Sequence, residues 1–96
     1  MLIRIVRMTF QEDHLGDFEE IFRDSKPKLE SLPGCIKVEL MQDWEDSTVY
    51  ITYSHWKSKA DLENYRKSEM FKGIWARCKA LFAHKPVAFS MRSAIN

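Results

Sequence analysis

The stretch "TVYITYSHWKSKADLENYRKSEMF", residues 48–71, decides the fold, because a strand and a helix meet in it almost without a linker. Residues 48–56 are rich in β-branched and aromatic side chains and predict a strand. Ser58 and Asp61 then form an S-x-x-D pattern, which is typical of a helix start. Trp56 lies at this joint, where it could either fill the core or form the wall of a pocket.

The segment before this stretch predicts a strand, a helix and a second strand. Residues 2–10 form the first strand, and Thr9 to Glu12 carry a T-x-x-E pattern that predicts a helix cap. An apolar stripe then has helical spacing: Leu15, Phe18, Phe22, Leu29 and Leu32. Pro27 is expected to distort the later part of this helix, and "LPGC", residues 32–35, ends it. The second strand runs from Ile36 to about Gln42.

The segment after Trp56 predicts an interrupted helix and a last strand. "KSEMF" breaks the helical pattern, and Ser68 is a second candidate N-cap. The next apolar stripe consists of Phe71, Ile74, Cys78 and Leu81. "HKP", residues 84–86, ends the helix, because the residue before a proline avoids helical angles. Val87, Phe89 and Met91 alternate with smaller or polar residues in the final strand.

The order of elements is β-α-β-β-α-β, which predicts an α+β, ferredoxin-like fold. Residues 1–96 are expected to form a single domain with an antiparallel four-stranded sheet and the helices on one face. The first and third strands carry apolar residues on both sides, so the uncovered face would also be apolar. A homodimer in which two sheets pack face to face would cover it.

Composition argues against several classes of function. The net charge of +1 does not suggest a nucleic-acid-binding surface, and no apolar run approaches the roughly 20 residues that span a bilayer. Arg4 and Arg7 interrupt the apolar N-terminus, which therefore looks like a strand and not a signal peptide. With only two cysteines, reduced thiols and a cytoplasmic location are expected. The three histidines lack metal-site spacing, so no metal is expected.

Over nearly its whole length the chain resembles the antibiotic biosynthesis monooxygenase family of dimeric α/β barrels. The resemblance is carried by the order of elements, by "LPGC" before the second strand and by "HWKSKADLENYRKSEMFKGI" at the second helix. It implies a ligand cavity within each protomer, between sheet and helices. It also implies monooxygenation of a phenolic, quinol-like or polyketide-like substrate without a cofactor.

The "HWKSKADLENYRKSEMFKGI" stretch is most similar to haem-degrading members of that superfamily, but two positions differ. Those members use an Asn on the first strand, a Trp at the end of the third strand and a His on the second helix. Trp56 matches the Trp, whereas Val6 and Trp75 occupy the Asn and His positions. Neither isopropyl nor indole can take over these roles, so haem degradation by that route is not expected.

The candidate pocket residues follow from this resemblance and from the strand faces. They comprise possible walls, Trp56, Trp75, Tyr50, Phe71 and Val6, and possible polar contacts, Tyr65, Tyr50, His55 and Arg4. His55 neighbours Trp56 on a strand and should therefore point to the opposite face. No catalytic base is evident, and aromatic residues at helical spacing are often only core. A non-catalytic dimeric module that binds a small hydrophobic ligand therefore remains the alternative.

Overall fold

The computed structural model describes residues 1–95 and contains one sheet and three α-helices. The strands are β1 (Leu2–Thr9), β2 (Cys35–Gln42), β3 (Val49–Trp56) and β4 (Val87–Met91). The helices are α1 (Leu15–Glu30), α2 (Lys59–Arg66) and α3 (Glu69–Lys79). The predicted α+β ferredoxin-like fold is confirmed, with the second helical segment divided into α2 and α3.

The strands pair antiparallel in the order β2-β3-β1-β4. The central pair places Arg4 of β1 beside Ser54 of β3, and β4 adds Ser90 on the other side of Arg4. Because side chains alternate along a strand, Arg4, Val6 and Met8 share one face of β1. Residues on this face line a cavity together with residues of all three helices, so the helices lie on this one side of the sheet.

Two of the three predicted helix caps are confirmed. The Ser58 hydroxyl accepts a hydrogen bond from the backbone N–H of Asp61, and the Ser68 hydroxyl accepts one from Phe71, each at 3.1 Å. The second cap restarts the helix after a break at residues 67–68, as the "KSEMF" pattern predicted. Both caps supply acceptors for amides that the helix itself leaves unpaired.

The predicted cap at Thr9 is wrong. Thr9 is the last residue of β1, paired with Val49, and its carbonyl accepts a hydrogen bond from the N–H of Ala83. A short 3-10 turn at Glu12–His14 precedes α1, and neither helix start has a side-chain cap there. The backbone of Thr9 is therefore hydrogen-bonded within the sheet and cannot also begin a helix. Tertiary contacts here override a local sequence pattern.

The remaining local differences are small. Pro27 does not interrupt α1, which continues to Glu30. The turn that follows contains Gly34 with a φ of 81°. The register shifts in β2 between Cys35 and Lys37, so that Ile36 does not follow the alternation expected for it. The last helix ends at Lys79, several residues before the "HKP" sequence.

The core lies between the helices and the inner face of the sheet. Its centre is a cluster of Met8, Phe10, Phe18, Tyr50 and Cys78. The opposite face of the sheet carries large apolar side chains that are 42–53% exposed: Met41, Val87, Phe89 and Met91. Among residues 1–95 no helix has the length and apolar character that crossing a membrane requires.

Candidate functional site

A cavity of about 320 Å³ lies between the inner sheet face and the helices. Its size is at the lower end of the range for small-molecule sites. It is lined by residues from all four strands and all three helices: Arg4, Val6, Met8, Phe18, Ile21, Phe22, Ser25, Leu29, Val38, Thr52, Ser54, Trp56, Leu62, Tyr65, Arg66, Phe71, Ile74, Trp75, Cys78 and Ala88. Most of the lining is apolar, so the cavity suits a hydrophobic ligand with few polar groups.

Four aromatic rings form a continuous wall on one side of this cavity. The rings of Trp56 and Tyr65 stack with centroids 5.5 Å apart and an interplanar angle of 20°. Tyr65 meets Phe71 edge-on at 5.2 Å, and Phe71 stacks on Trp75 at 5.8 Å. We refer to Trp56, Tyr65, Phe71 and Trp75 as the aromatic wall. Stacked and edge-on contacts of this kind hold rings at defined angles, so the wall is a rigid surface for a planar ligand.

Contacts with both β3 and α2 hold Trp56 at the joint between these two elements. Its side chain is 1% exposed, and its indole N–H donates a hydrogen bond to the Ser54 hydroxyl at 3.0 Å. Ser58 begins α2 only two residues later, which brings Tyr65 over the indole ring. A buried indole N–H needs such a partner, and Ser54 provides it from the same strand face.

The strands opposite the aromatic wall provide hydrogen-bond donors. Arg4 lies between Ser54 and Ser90 in the sheet, and its guanidinium donates to the Ser90 hydroxyl at 3.2 Å. Val6, the next inward residue of β1, lies between Thr52 and Ala88. This part of the cavity therefore combines one cation with two lining hydroxyls beside an otherwise apolar surface.

The residues that line the cavity include no side chain that could accept a proton at neutral pH. The lining residues contain no Asp, Glu or His. Burial raises the pKa of the Tyr65 hydroxyl above its usual value and raises the pKa of the Cys78 thiol to about 11, so both keep their protons at pH 7. Burial, and then the charge of Arg66, lowers the pKa of Arg4, but an arginine stays charged near neutrality.

Six of the eight candidate residues named from the sequence line the cavity: Arg4, Val6, Trp56, Tyr65, Phe71 and Trp75. Tyr50 does not. It belongs to the neighbouring core cluster, where Phe10 and Phe18 pack against its ring and its hydroxyl donates to the Glu19 carboxylate. Although Tyr50 shares a strand face with Trp56, it lies six residues away along β3 and meets α1 instead. Direct ligand contact by the six lining residues stays a prediction.

Five lining residues with polar side chains were not among the predicted contacts: Ser25, Thr52, Ser54, Arg66 and Cys78. Thr52 and Ser54 alternate with outward-facing residues on the strand face of Trp56, so the sequence contained their signal. Arg66 had no such signal, because it looks like one more charged residue on a solvated helix. His55 is not among the lining residues, in agreement with its predicted orientation.

The lining does not supply the Asn and the His that the sequence resemblance to haem-degrading proteins would require. Val6 and Trp75, which that resemblance assigns to these two positions, both line the cavity, and neither side chain can bind iron. Within residues 1–95 there is also no group of three or more His, Cys, Asp or Glu residues that could hold a metal ion.

Comparison with known proteins agrees with the fold. The family model described as antibiotic biosynthesis monooxygenase matches residues 1–77. A solved structure of an antibiotic biosynthesis monooxygenase superposes with a TM-score of 0.91 at 18% identity, covering 99% of this chain and 100% of the other. No functionally curated protein matches the sequence.

Two further solved structures have the same fold. A conserved protein from Methanosarcina mazei Go1 superposes with a TM-score of 0.89 at 18% identity, covering 96% of this chain and 92% of its own. A Pseudomonas aeruginosa protein gives 0.85 at 22% identity, covering 98% and 94% respectively. At these identities the likeness concerns the fold alone.

Proposed function

The chain belongs to the antibiotic biosynthesis monooxygenase family, and we propose that it is a cofactor-independent monooxygenase of a small phenolic, quinol-like or polyketide-like substrate. The observation that supports this most directly is the aromatic wall facing hydrogen-bond donors across a cavity of about 320 Å³. Such a cavity can hold a planar ring between the wall and the strands, with its oxygen atoms directed at Arg4, Thr52 and Ser54.

The proposed chemistry draws its electrons from the substrate. An activated ring methylene, as in the keto tautomer of a phenol, loses one proton to the solvent to give a conjugated anion, which reduces dioxygen and forms a C–O bond. The resulting peroxide anion takes up one proton from the solvent, and the hydroperoxide then loses water as the O–O bond breaks and the second C–H proton leaves. One methylene and one dioxygen thus give one ring carbonyl and one water. The protein's contribution is to orient the ring, to stabilise the anion through hydrogen-bond donors and to exclude bulk water.

A second candidate function is favoured by the missing base. A non-catalytic dimeric module that binds a small hydrophobic ligand would need the cavity and the wall but no proton acceptor. Tyr65 and Cys78, the only neutral titratable groups in the lining, are both poor acceptors at neutral pH because their pKa values are raised. The two candidates therefore differ in whether a bound ring is oxidised.

Oxygen uptake with a panel of quinols and hydroxylated polyaromatics separates these candidates. A monooxygenase should consume one dioxygen per carbonyl formed, without added metal, flavin or haem, and Trp56→Phe should lower the rate. Arg23→Gln, an exposed substitution on α1, is the control that should leave it unchanged. Saturable binding of the same panel without oxygen uptake would replace the proposal by the non-catalytic module.

We further propose that two copies pair through the uncovered sheet face. The exposed apolar residues on that face, Met41, Val87, Phe89 and Met91, are unusual for a monomer. The family also suggests oligomerisation. Face-to-face packing would complete the α/β barrel while leaving each cavity within its own protomer.

The chain as a whole, residues 1–96, is proposed to act as one domain in the cytoplasm. Cys35 and Cys78 are both free, which is the state expected of thiols in a reducing compartment.

A further inference from the structure

We infer that Arg4 selects a ligand that is already an anion at neutral pH, namely an aromatic molecule with an ionised enol or phenol oxygen. This inference rests on the proposed function only in taking the cavity as a ligand site, and it names the class of ligand. It follows from the charges around Arg4, from the hydrogen bonds that the cavity leaves unmade and from the absence of a base.

The charge of Arg4 is only partly balanced by its neighbours. Arg4 is half-buried, and it forms no ion pair within 4.0 Å among the described residues. The carboxylate of Glu63 also acts on Arg4, but it is paired with Arg66 at 3.2 Å. Two guanidinium groups therefore share one carboxylate here. A partly desolvated cation without a counterion is unfavourable until an anion binds to it.

The hydrogen bonds in the cavity leave several donors unused. In the strand part of the cavity, the Ser54 hydroxyl accepts from the Trp56 indole, and the Ser90 hydroxyl beside the cavity accepts from Arg4. Within residues 1–95 the hydroxyls of Thr52, Ser54 and Tyr65 donate to no acceptor. With no carboxylate in the lining, the polar groups of the cavity offer mainly donors. A ligand that matches them must bring acceptor oxygens.

The residues that line the cavity provide no acceptor for a ligand proton at neutral pH. A neutral phenol would have to lose its proton inside the cavity, and none of Arg4, Arg66, Tyr65 and Cys78 can take it at neutral pH. A ligand that is acidic enough to ionise in water loses its proton to the solvent before it binds. Arg4 can then hold the resulting oxygen anion with a charge-assisted hydrogen bond, while the aromatic wall holds the ring.

Arg4 can reach such an oxygen without losing its own support. The hydrogen bond to Ser90 engages one terminal nitrogen of the guanidinium, at 3.2 Å. A guanidinium has five N–H donors in a fixed plane, so others remain for a ligand. A lysine at this position would keep the charge but could not contact Ser90 and the ligand with the same geometry.

The test uses two probes of nearly equal shape, 2-hydroxy-1,4-naphthoquinone, which is ionised at neutral pH, and its 2-methoxy ether, which is neutral. Isothermal titration of the full-length protein with each probe should show the hydroxy compound binding about 10- to 100-fold more tightly, as expected for a hydrogen bond to a charged group. Arg4→Gln should reduce this preference to about one by weakening only the hydroxy compound. Arg4→Lys should retain part of the preference.

One control variant and the results that would overturn the inference complete the experiment. Arg23→Gln removes an equal charge from the solvent-exposed face of α1 and should leave the preference unchanged. Equal binding of both probes to the unmodified protein would overturn the inference without any reliance on a variant. So would an unchanged preference in Arg4→Gln, or binding of neither probe at millimolar concentration.

The probe titration can fail or succeed independently of the proposed monooxygenase activity, because it measures binding and requires no oxidation. Arg4-dependent anion binding without oxygen uptake from any phenol would leave the inference standing and favour the non-catalytic module. Oxygen uptake that is indifferent to Arg4→Gln would overturn the inference and leave the monooxygenase proposal in place.

Discussion

The indole of Trp56 and the ring of Tyr65 stack at 5.5 Å across the junction of β3 and α2, and this contact joins the sheet to the aromatic wall. Trp56 is both buried and part of the cavity lining, so the two roles considered from the sequence are combined in one residue. They can be separated by substitutions of different size.

Trp56→Phe should keep the fold and weaken ligand binding, because a phenyl ring retains most of the packing but shortens the wall and removes the hydrogen bond to Ser54. Trp56→Ala should in addition lower the free energy of unfolding by roughly 3–5 kcal/mol, as for other large buried side chains. Denaturant unfolding and probe titration measure the two effects. A Trp56→Phe protein that binds and turns over its ligand normally would show that Trp56 only fills the core.

Gly34 has a backbone conformation and a close neighbour that favour glycine at this position. Its φ of 81° is unfavourable for other residues, and a β-carbon built there would lie 2.5 Å from the Asp61 β-carbon. Its carbonyl also accepts from the N–H of Lys57 at 2.8 Å, which ties the "LPGC" turn to the start of α2. Gly34→Ala should therefore lower the free energy of unfolding by roughly 1–3 kcal/mol.

Gly73→Ala is the matched control for this measurement. Gly73 lies inside α3 with no atom within 4 Å of a β-carbon built on it, so alanine should raise the free energy of unfolding by roughly 0.5–1 kcal/mol through its helix propensity. If chemical denaturation showed that Gly34→Ala is as stable as the unmodified protein or more stable, the proposed constraint at Gly34 would be wrong.

The fold could be predicted from the sequence where local signals and hydrophobic periodicity agree. The strand at Tyr50 to Trp56 alternates between a mixed inner face and an apolar outer face, and the caps at Ser58 and Ser68 follow directly from side-chain chemistry. At Thr9 the local signal failed, because pairing with Val49 extends the sheet through the predicted cap. Local patterns cannot show which of two backbone partners a segment will find.

The candidate site could be predicted only in part. Strand alternation places Trp56 inward, but it places Tyr50 inward too, and only the path of α1 determines that Tyr50 packs in the core with Phe18. The unmatched charge of Arg4 could not be predicted either, because it depends on the packing of α2, which brings Glu63 and its i,i+3 partner Arg66 near Arg4 of β1. Which charges meet is a property of the packed structure.

Haem binding is expected to be weak or absent, because Val6 and Trp75 line the cavity at the positions where an Asn and a His would be needed. Titration of the purified protein with haemin should give no Soret band of a histidine-ligated haem that survives gel filtration. Such a band would mean either that the helix position has been wrongly assigned to Trp75 or that another residue ligates the iron, and its loss in His55→Ala or His84→Ala would establish the second explanation.

Stability should fall in alkaline solution as Cys78 ionises. Burial raises the pKa of this thiol from the ordinary value of 9.0 to about 11, so between these values the folded chain keeps a proton that the unfolded chain releases. The stabilising contribution is therefore complete below pH 9 and is lost as the pH rises to about 11, a change of at most about 2–3 kcal/mol. Urea unfolding at intervals of pH measures it.

Cys78→Ala is the comparison that isolates this thiol from Tyr50 and Tyr65, whose pKa values burial also raises. The variant should be less stable at pH 8 because of the small space it leaves, yet its stability should decline less between pH 9 and 11. Parallel pH profiles for the two proteins would mean that Cys78 is not responsible.

Reaction with a thiol reagent at pH 8 should correspondingly modify the half-buried Cys35 before Cys78.

Dimerisation through the outer sheet face can be tested at Phe89. This residue lies on β4 beside Ile5 of β1 and is 44% exposed in the isolated chain, within the group of exposed apolar residues on that face. Small-angle scattering at micromolar concentration should give a dimer, and the buried interface should be about 2,000 Å² or more. Phe89→Lys should produce monomers, because a buried unpaired ammonium group opposes association.

Phe89→Leu is the matched control, since it keeps an apolar side chain at the same position and should preserve the dimer. The Phe89→Lys monomer should remain folded, because the core cluster around Phe10 and Phe18 lies on the other side of the sheet. The radius of gyration of this monomer should then approach the Cα radius of gyration of the single chain, which is 13.3 Å. If the unmodified protein were monomeric at micromolar concentration, the proposed dimer through the apolar face of Val87, Phe89 and Met91 would be wrong.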